Sequence, residues 1–155
     1  MKRKPKKHNK DETFGLVSLQ LLKKGFWVSI NKSEIKNNEY HMQCSNFETT
    51  KRVKILICKD ENFSGKWMLD EKNDDYNFPD LFYVFVGYNK SFKKPKLFVV
   101  PSQIVSEYIK KDGKVWISGY TKKGQLHKNI QKRGFDIESK DEKKYLNKWN
   151  LLGLD

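Results

Sequence analysis

Val53-Lys54-Ile55-Leu56-Ile57-Cys58-Lys59 decides the fold class of this chain. Val53, Ile55 and Ile57 recur at every second position, the period of a strand with one face on a core, which leaves Lys54, Leu56 and Cys58 on the other face. Tyr40 to Ser45 has the same strand character and lies one turn-rich interval upstream, so the two segments predict a hairpin. Chemistry on this strand would have to be carried by the face holding Lys54, Leu56 and Cys58.

Working outward, Asp11 or Thr13 can cap a helix carrying Phe14, Leu16, Val17, Leu19, Leu21 and Leu22, and Lys23-Lys24-Gly25 is a C-terminal stop. Phe26 to Ile30 reads as a strand, followed by a polar connection from Asn31 to Asn38. Lys66-Trp67-Met68-Leu69 is a short strand, and the Asp/Asn-rich stretch through Pro79 is a loop. Leu81-Phe82-Tyr83-Val84-Phe85-Val86 is apolar on both faces, the mark of a central strand covered on both sides, with Leu97 to Val100 as its neighbour. Ser102 caps a second helix with Ile104, Val105, Tyr108 and Ile109 on one face, which Asp112-Gly113 should end. Beyond Trp116 the chain is polar and basic until Tyr145 to Trp149, a short aromatic segment expected to pack the terminus onto the body. This element order predicts an α/β (α+β) fold with a mixed central β-sheet flanked by helices.

A chain of 155 residues accommodates one domain, expected over 11–155 after a flexible basic tail at 1–10. The hydrophobic fraction of 37% is low, but an aromatic content of 14% supplies large buried areas from few side chains, so the chain should fold unaided. No apolar run reaches the length of a membrane span and no signal-peptide stretch follows the first lysines, which gives a cytoplasmic expectation with no membrane partner. Cys44 and Cys58 stand outside any CxxC or Cys/His cluster and read as reduced structural thiols.

The formal charge is +13. Such a charge points to a polyanion, because lysines gain affinity by releasing counterions from phosphates. The same total also follows from an AT-rich genome, since Lys, Asn and Ile are abundant here and Arg is scarce. The distribution says more. Positive charge gathers at Lys2, Arg3, Lys4, Lys6, Lys7 and Lys10 and again at Lys122, Lys123, Lys128, Lys132 and Arg133, with His127 as a phosphate neighbour or surface residue. Between them Asp60, Glu61, Asp70, Glu71, Asp74, Asp75 and Asp80 are acidic, so the surface should be polarised.

The order of Leu16-Val17, Leu21-Leu22-Lys23-Lys24-Gly25-Phe26, Lys66-Trp67-Met68-Leu69, Leu81 to Val86, Phe98-Val99-Val100-Pro101-Ser102, Gly124-Gln125-Leu126-His127-Lys128 and Trp149 to Leu154 resembles the restriction-endonuclease-like PD-(D/E)XK superfamily, in particular small bacterial proteins related to it. The resemblance implies a hairpin in which the first strand supplies a metal-binding Asp and the second an acid or Gln, one intervening residue, then Lys. Those acids would hold a divalent cation that activates water, and the lysine would stabilise developing charge. Aligned on that pattern, this chain has His41 at the Asp position, Leu56 at the acid position and Cys58 at the Lys position. A helical Glu that often assists has no counterpart, since Phe14 or Gln20 falls near its place.

Leucine offers no oxygen to Mg²⁺ and a cysteine carries no cationic head at neutral pH, so the usual two-carboxylate site cannot be built on this strand. Migrated catalysis would call on Glu48 and Lys59, with Glu39 and Asp60 as further acids, and a bulge would be needed to re-aim Lys59. His41 could act as a base or bind a softer metal, or be structural. No phosphate-cradling glycine loop, nucleophile elbow or paired-histidine helix marks another reaction class. Phe82, Tyr83, Phe85 and Phe98 read as core, while Trp27 and Trp67 could be core or base-stacking residues.

Three functions follow as expectations. The first is a nucleic-acid binder, with DNA the expected form, on a degenerate nuclease fold, gripping phosphates through the two basic clusters without a cofactor; the resemblance adds a larger bacterial defence or mobile-element assembly as its setting. The second is a protein-interaction or inhibitor module using the acidic loop from Asp70 to Asp80 or the basic face. The third is a Mg²⁺-dependent endonuclease with migrated residues.

Overall fold

A computed structural model of the chain describes residues 10–30, 39–60, 65–88, 94–118 and 132–155. Helix α1 (Lys10–Lys23) leads into strands β1 (Trp27–Ile30), β2 (Glu39–Ser45) and β3 (Arg52–Lys59). Then come β4 (Lys66–Asp70), a 3₁₀ helix (Glu71–Asp75), β5 (Leu81–Gly87) and β6 (Lys96–Pro101). Helix α2 (Ser102–Ser118), β7 (Lys132–Asp136), a one-turn helix α3 (Glu142–Tyr145) and a 3₁₀ turn (Trp149–Leu152) complete the order. The fold is mixed α+β, as the element order predicted.

Five strands form one sheet in the order β1-β2-β3-β5-β6, and β4 pairs with β7 as a separate antiparallel ribbon. Strands β1, β2 and β3 are an antiparallel meander, β5 runs parallel to β3, and β6 returns antiparallel to β5. Backbone bonds from Lys54 N to the Asp80 carbonyl, 2.8 Å, and from Asp60 N to the Val86 carbonyl, 3.1 Å, fasten the parallel pair at both ends.

The two faces of β3 enter two cores. Val53, Ile55 and Ile57 pack with Val17 and Leu21 of α1, Phe82, Val84 and Val86 of β5, and Trp149, Leu152 and Leu154 of the C-terminal turn. Leu56 and Cys58 pack on the other side with Trp67, Leu69, Tyr83, Phe85, Phe98, Phe135 and the α2 residues Val105 and Ile109. The sheet is therefore the middle of three layers, and every residue from Leu81 to Val86 is buried, as a strand apolar on both faces requires. Phe85 is stacked between Tyr83 and Phe135 at centroid distances of 5.3 and 4.6 Å.

Helix α1 stops as its sequence dictates. Gly25 takes φ +84°, and the amides of Gly25 and Phe26 bond back to the carbonyls of Leu22 and Leu21 at 2.9 and 3.2 Å. Its start differs from the expectation: the helix already includes Lys10, and Thr13 is inside it, buried, with its hydroxyl 2.8 Å from that of Tyr88. Thr13 thus ties α1 to the end of β5 and does not cap the helix.

Three further differences have physical causes. Helix α2 continues past Asp112-Gly113 to Ser118. A glycine costs only about 1 kcal/mol in a helix interior, which is too little by itself to end one. Within the Asp/Asn-rich loop, Glu71–Asp75 winds into a 3₁₀ helix because the buried Asn73 accepts from the Asp70 amide at 2.9 Å and donates to the Tyr83 hydroxyl at 2.8 Å. Strand β7 lies in the polar stretch beyond Trp116; Phe135 packs into the second core and Ile137 against it. The aromatic terminus packs as expected, and the Leu154 carbonyl accepts from Asn46 Nδ2 at 2.6 Å and Thr49 Oγ1 at 3.4 Å. No helix among the described residues is long and apolar enough to cross a membrane.

Candidate functional site

Leu56 lies directly opposite His41, and Cys58 opposite Glu39, in a register that runs without a break from Ser45–Arg52 to Glu39–Cys58. The pairing of β3 with β5 is equally continuous from Lys54 to Lys59. With no bulge in either ladder, Lys59 stays on the face away from Cys58. Leu56 and Cys58 are only 2% and 4% exposed, so the strand positions at which a nuclease would hold its acid and lysine are filled by core side chains.

The migrated pair does not assemble. Glu48 is exposed in the turn before β3 and Lys59 ends β3, so the two are separated by a strand length, roughly 20 Å at about 3.3 Å per residue. Asp60 is buried, and its Oδ2 accepts from the Gly65 amide at 2.6 Å, closing the β3–β4 connection. Among the described residues no group of three His, Cys, Asp or Glu side chains is placed to hold a metal. Cys44 and Cys58 are both buried and form no disulfide, and burial pushes the Cys44 thiol up to about 11. That thiol stays protonated at neutral pH.

The same sheet face opens where α2 and the β4–β7 ribbon no longer cover it. Ser29, Gln43 and Lys54 stand in one row across β1, β2 and β3, and His41 is the next residue on this face of β2. These four, with Tyr76, Phe78 and Asp80 as a wall, line a cavity of about 560 Å³. Gln43 and Lys54 are exposed and His41 is half-buried. One row further out stand Trp27, Ser45 and Arg52. Trp27 is 59% exposed and meets the 67% exposed Phe47 edge to face at 5.0 Å.

The wall is held from behind. Ser102 Oγ accepts from the Phe78 amide at 3.0 Å and donates to the Phe78 carbonyl at 2.8 Å, and Ser106 Oγ donates to the Asp74 carbonyl at 2.7 Å. Arg133, 7% exposed, reaches Asp74 through Nε at 3.3 Å and Glu71 at 3.9 Å. Arg133, expected to grip phosphate, turns its guanidinium to Asp74 and Glu71 and so fastens the acidic loop to β7. The acidic loop thereby turns Asp74 toward the domain, while Glu71 stays exposed.

Lys132 opens β7 with its backbone paired to Asp70. Lys2, Arg3, Lys4, Lys6 and Lys7, and Lys122, Lys123, His127 and Lys128, lie outside the described residues. Of the residues that form the groove, sequence reasoning singled out His41. Lys54 was legible as lying on the Leu56 face and Asp80 as the end of the acidic loop, whereas Ser29, Gln43 and Tyr76 carry no signal of their own without the register. Trp67 resolves to core, with its indole NH donating to the Val86 carbonyl at 3.2 Å, while Trp27 resolves to surface.

No family model, curated protein or solved structure matches this chain. Function therefore has to be argued from its own residues.

Proposed function

We propose that this chain is a nucleic-acid binding protein, with DNA as its expected ligand, on a PD-(D/E)XK-like scaffold whose acid and lysine positions have passed to the hydrophobic core. The observation that carries this reading is the pairing of two features on one sheet face: Leu56 and Cys58 are sealed in the core, and beside them lies an open groove with Lys54, Gln43 and His41 in a chain of charge +13. A lysine-rich surface binds backbone phosphate with weak sequence preference, which suits a subunit that holds nucleic acid for a partner.

A protein-docking role through the Asp70 to Asp80 loop has less support, because Asp74 and Glu71 are engaged by Arg133. The test is salt dependence. Binding to labelled DNA should weaken roughly 100-fold between about 50 and 200 mM salt if about four phosphates are neutralised. Affinity that barely changes over this range sinks the reading. Plasmid incubated with Mg²⁺ or Mn²⁺ should stay intact, and cleavage by the purified protein would restore the endonuclease alternative.

A further inference from the structure

We infer that the open half of the sheet, the face of β1, β2 and the start of β3, is a docking surface for single-stranded nucleic acid. The inference rests on the nucleic-acid reading above and names the site and the strandedness of the ligand. Its basis is a set of side chains brought together by strand register and distributed over more than thirty residues of sequence.

The first component is aromatic. Trp27 and Phe47 are 59% and 67% exposed and touch each other at 5.0 Å with planes 77° apart. Large rings left this exposed forgo the burial that normally recruits them, and together they present an apolar surface to solvent. A base stacks on such a ring whatever its identity, because every base has a π-face. In a duplex those faces are already stacked on neighbouring pairs, so a ring projecting from a sheet reaches them only in an unpaired strand.

The second component is cationic. Arg52 is the cross-strand neighbour of Ser45, which pairs with Trp27; Lys54 follows two residues along β3 on the same face, and both are exposed. Two cations at i and i+2 on a strand are about 6.6 Å apart, a separation comparable to that of successive phosphates in an extended strand. The guanidinium of Arg52 can take two phosphate oxygens at once, and Lys54 acts as a point charge.

The third component is the groove beyond them. Gln43 offers both donor and acceptor, so it can meet the polar edge of a splayed base. Asp80 at the wall can accept from an exocyclic amine and repels phosphate, which directs the backbone toward Arg52 and Lys54 and the bases toward the groove. From Arg52 to Leu56 the floor is about 13 Å long, enough for about two bases. The wall, held at Phe78 by Ser102 and through the preceding 3₁₀ helix by the contacts of Ser106 and Arg133 with Asp74, keeps this end of the groove preformed.

The experiment uses the full chain with a fluorescently labelled single-stranded oligonucleotide of mixed sequence and the same sequence as a duplex, each titrated by anisotropy at fixed salt. The single strand should bind more tightly than the duplex. Trp27→Ala and Phe47→Ala should each weaken single-strand binding about tenfold, and Lys54→Ala should lower the slope of log affinity against log salt by about 0.7. Binding should also quench tryptophan fluorescence, and Trp27→Ala should lessen that quenching, since Trp67 and Trp149 are buried. Met68→Ala, at an exposed position on β4, should match the wild type, and circular dichroism should show all four variants folded. If oligonucleotides bind but Trp27→Ala and Phe47→Ala bind as tightly as wild type, or if the duplex is preferred, this surface assignment is overturned while nucleic-acid binding stands. If neither form binds, the proposed function fails as well.

Discussion

One face of one sheet has two halves with opposite fates. Around Leu56, Cys58, Tyr83 and Phe85 it is sealed under α2 and the β4–β7 ribbon; around Trp27, Ser29, Gln43, Arg52 and Lys54 it meets solvent. The strand period is the same in both, and what differs is the layer above. Helix α2 follows β6, at the opposite edge of the sheet from β1, and the ribbon's Trp67 packs on Phe85 and Phe98, so the cover extends from the β6 edge only as far as β3. Leu56 and Cys58 fall under the cover and the polar row falls outside it.

The largest test breaks the closed half. Leu56→Glu, which restores a carboxylate of the kind the resemblance calls for, buries an unpaired charge where 2% of the residue is exposed; we expect a loss of about 4 kcal/mol or more in urea unfolding and no gain of metal affinity by calorimetry. Phe85→Ala removes the middle ring of the Tyr83–Phe85–Phe135 stack and should cost about 3–5 kcal/mol by the same measurement. Arg133→Ala releases Asp74 and Glu71 at the boundary between the halves. Because Asp74 is partly solvated, the expected cost is about 2 kcal/mol, with faster hydrogen exchange at the amide of Phe78 as the local readout.

Titration sharpens the comparison with a smaller effect. Burial raises the folded Cys44 thiol from 9.0 to about 11, so its contribution is fully present below about pH 9 and is lost as pH rises through about 11. The thermal midpoint of the wild type should fall over this window, and Cys44→Ala should flatten that part of the fall. In the native protein at pH 8, a thiol reagent should modify neither cysteine before unfolding. The smallest effect belongs to the open half, where Gln43→Ala should leave stability within about 0.5 kcal/mol of wild type. A larger loss would mean that the groove is structural.

Much of the fold was legible in the sequence. The pairing of β2 with β3, the central Leu81 to Val86 strand and the glycine stop at Gly25 follow from period, composition and backbone freedom, all local properties. Lys132-Arg133-Gly134-Phe135-Asp136 did not read as a strand because one large apolar residue is too weak a signal; its partner Lys66–Asp70 lies more than sixty residues away. Arg133 looked like a surface cation for a related reason, since nothing near it in sequence announces Asp74 as its counter-ion. The groove was legible only in part. Lys54 and His41 could be placed on one face from the hairpin, but Trp27 and Ser29 join them through pairing across the Asn31 to Asn38 connection, which no local pattern specifies.

Ser102 has a consequence for how such a groove can diversify. Its hydroxyl both donates to and accepts from the backbone of Phe78, standing in for a neighbouring strand, while itself 1% exposed and outside the groove lining. Replacing it by alanine would leave the amide and carbonyl of Phe78 to find other partners and let the wall drift outward. The aperture of the cavity is thus governed by a residue outside its lining, so substitutions at the start of α2 would alter its width with every lining residue unchanged.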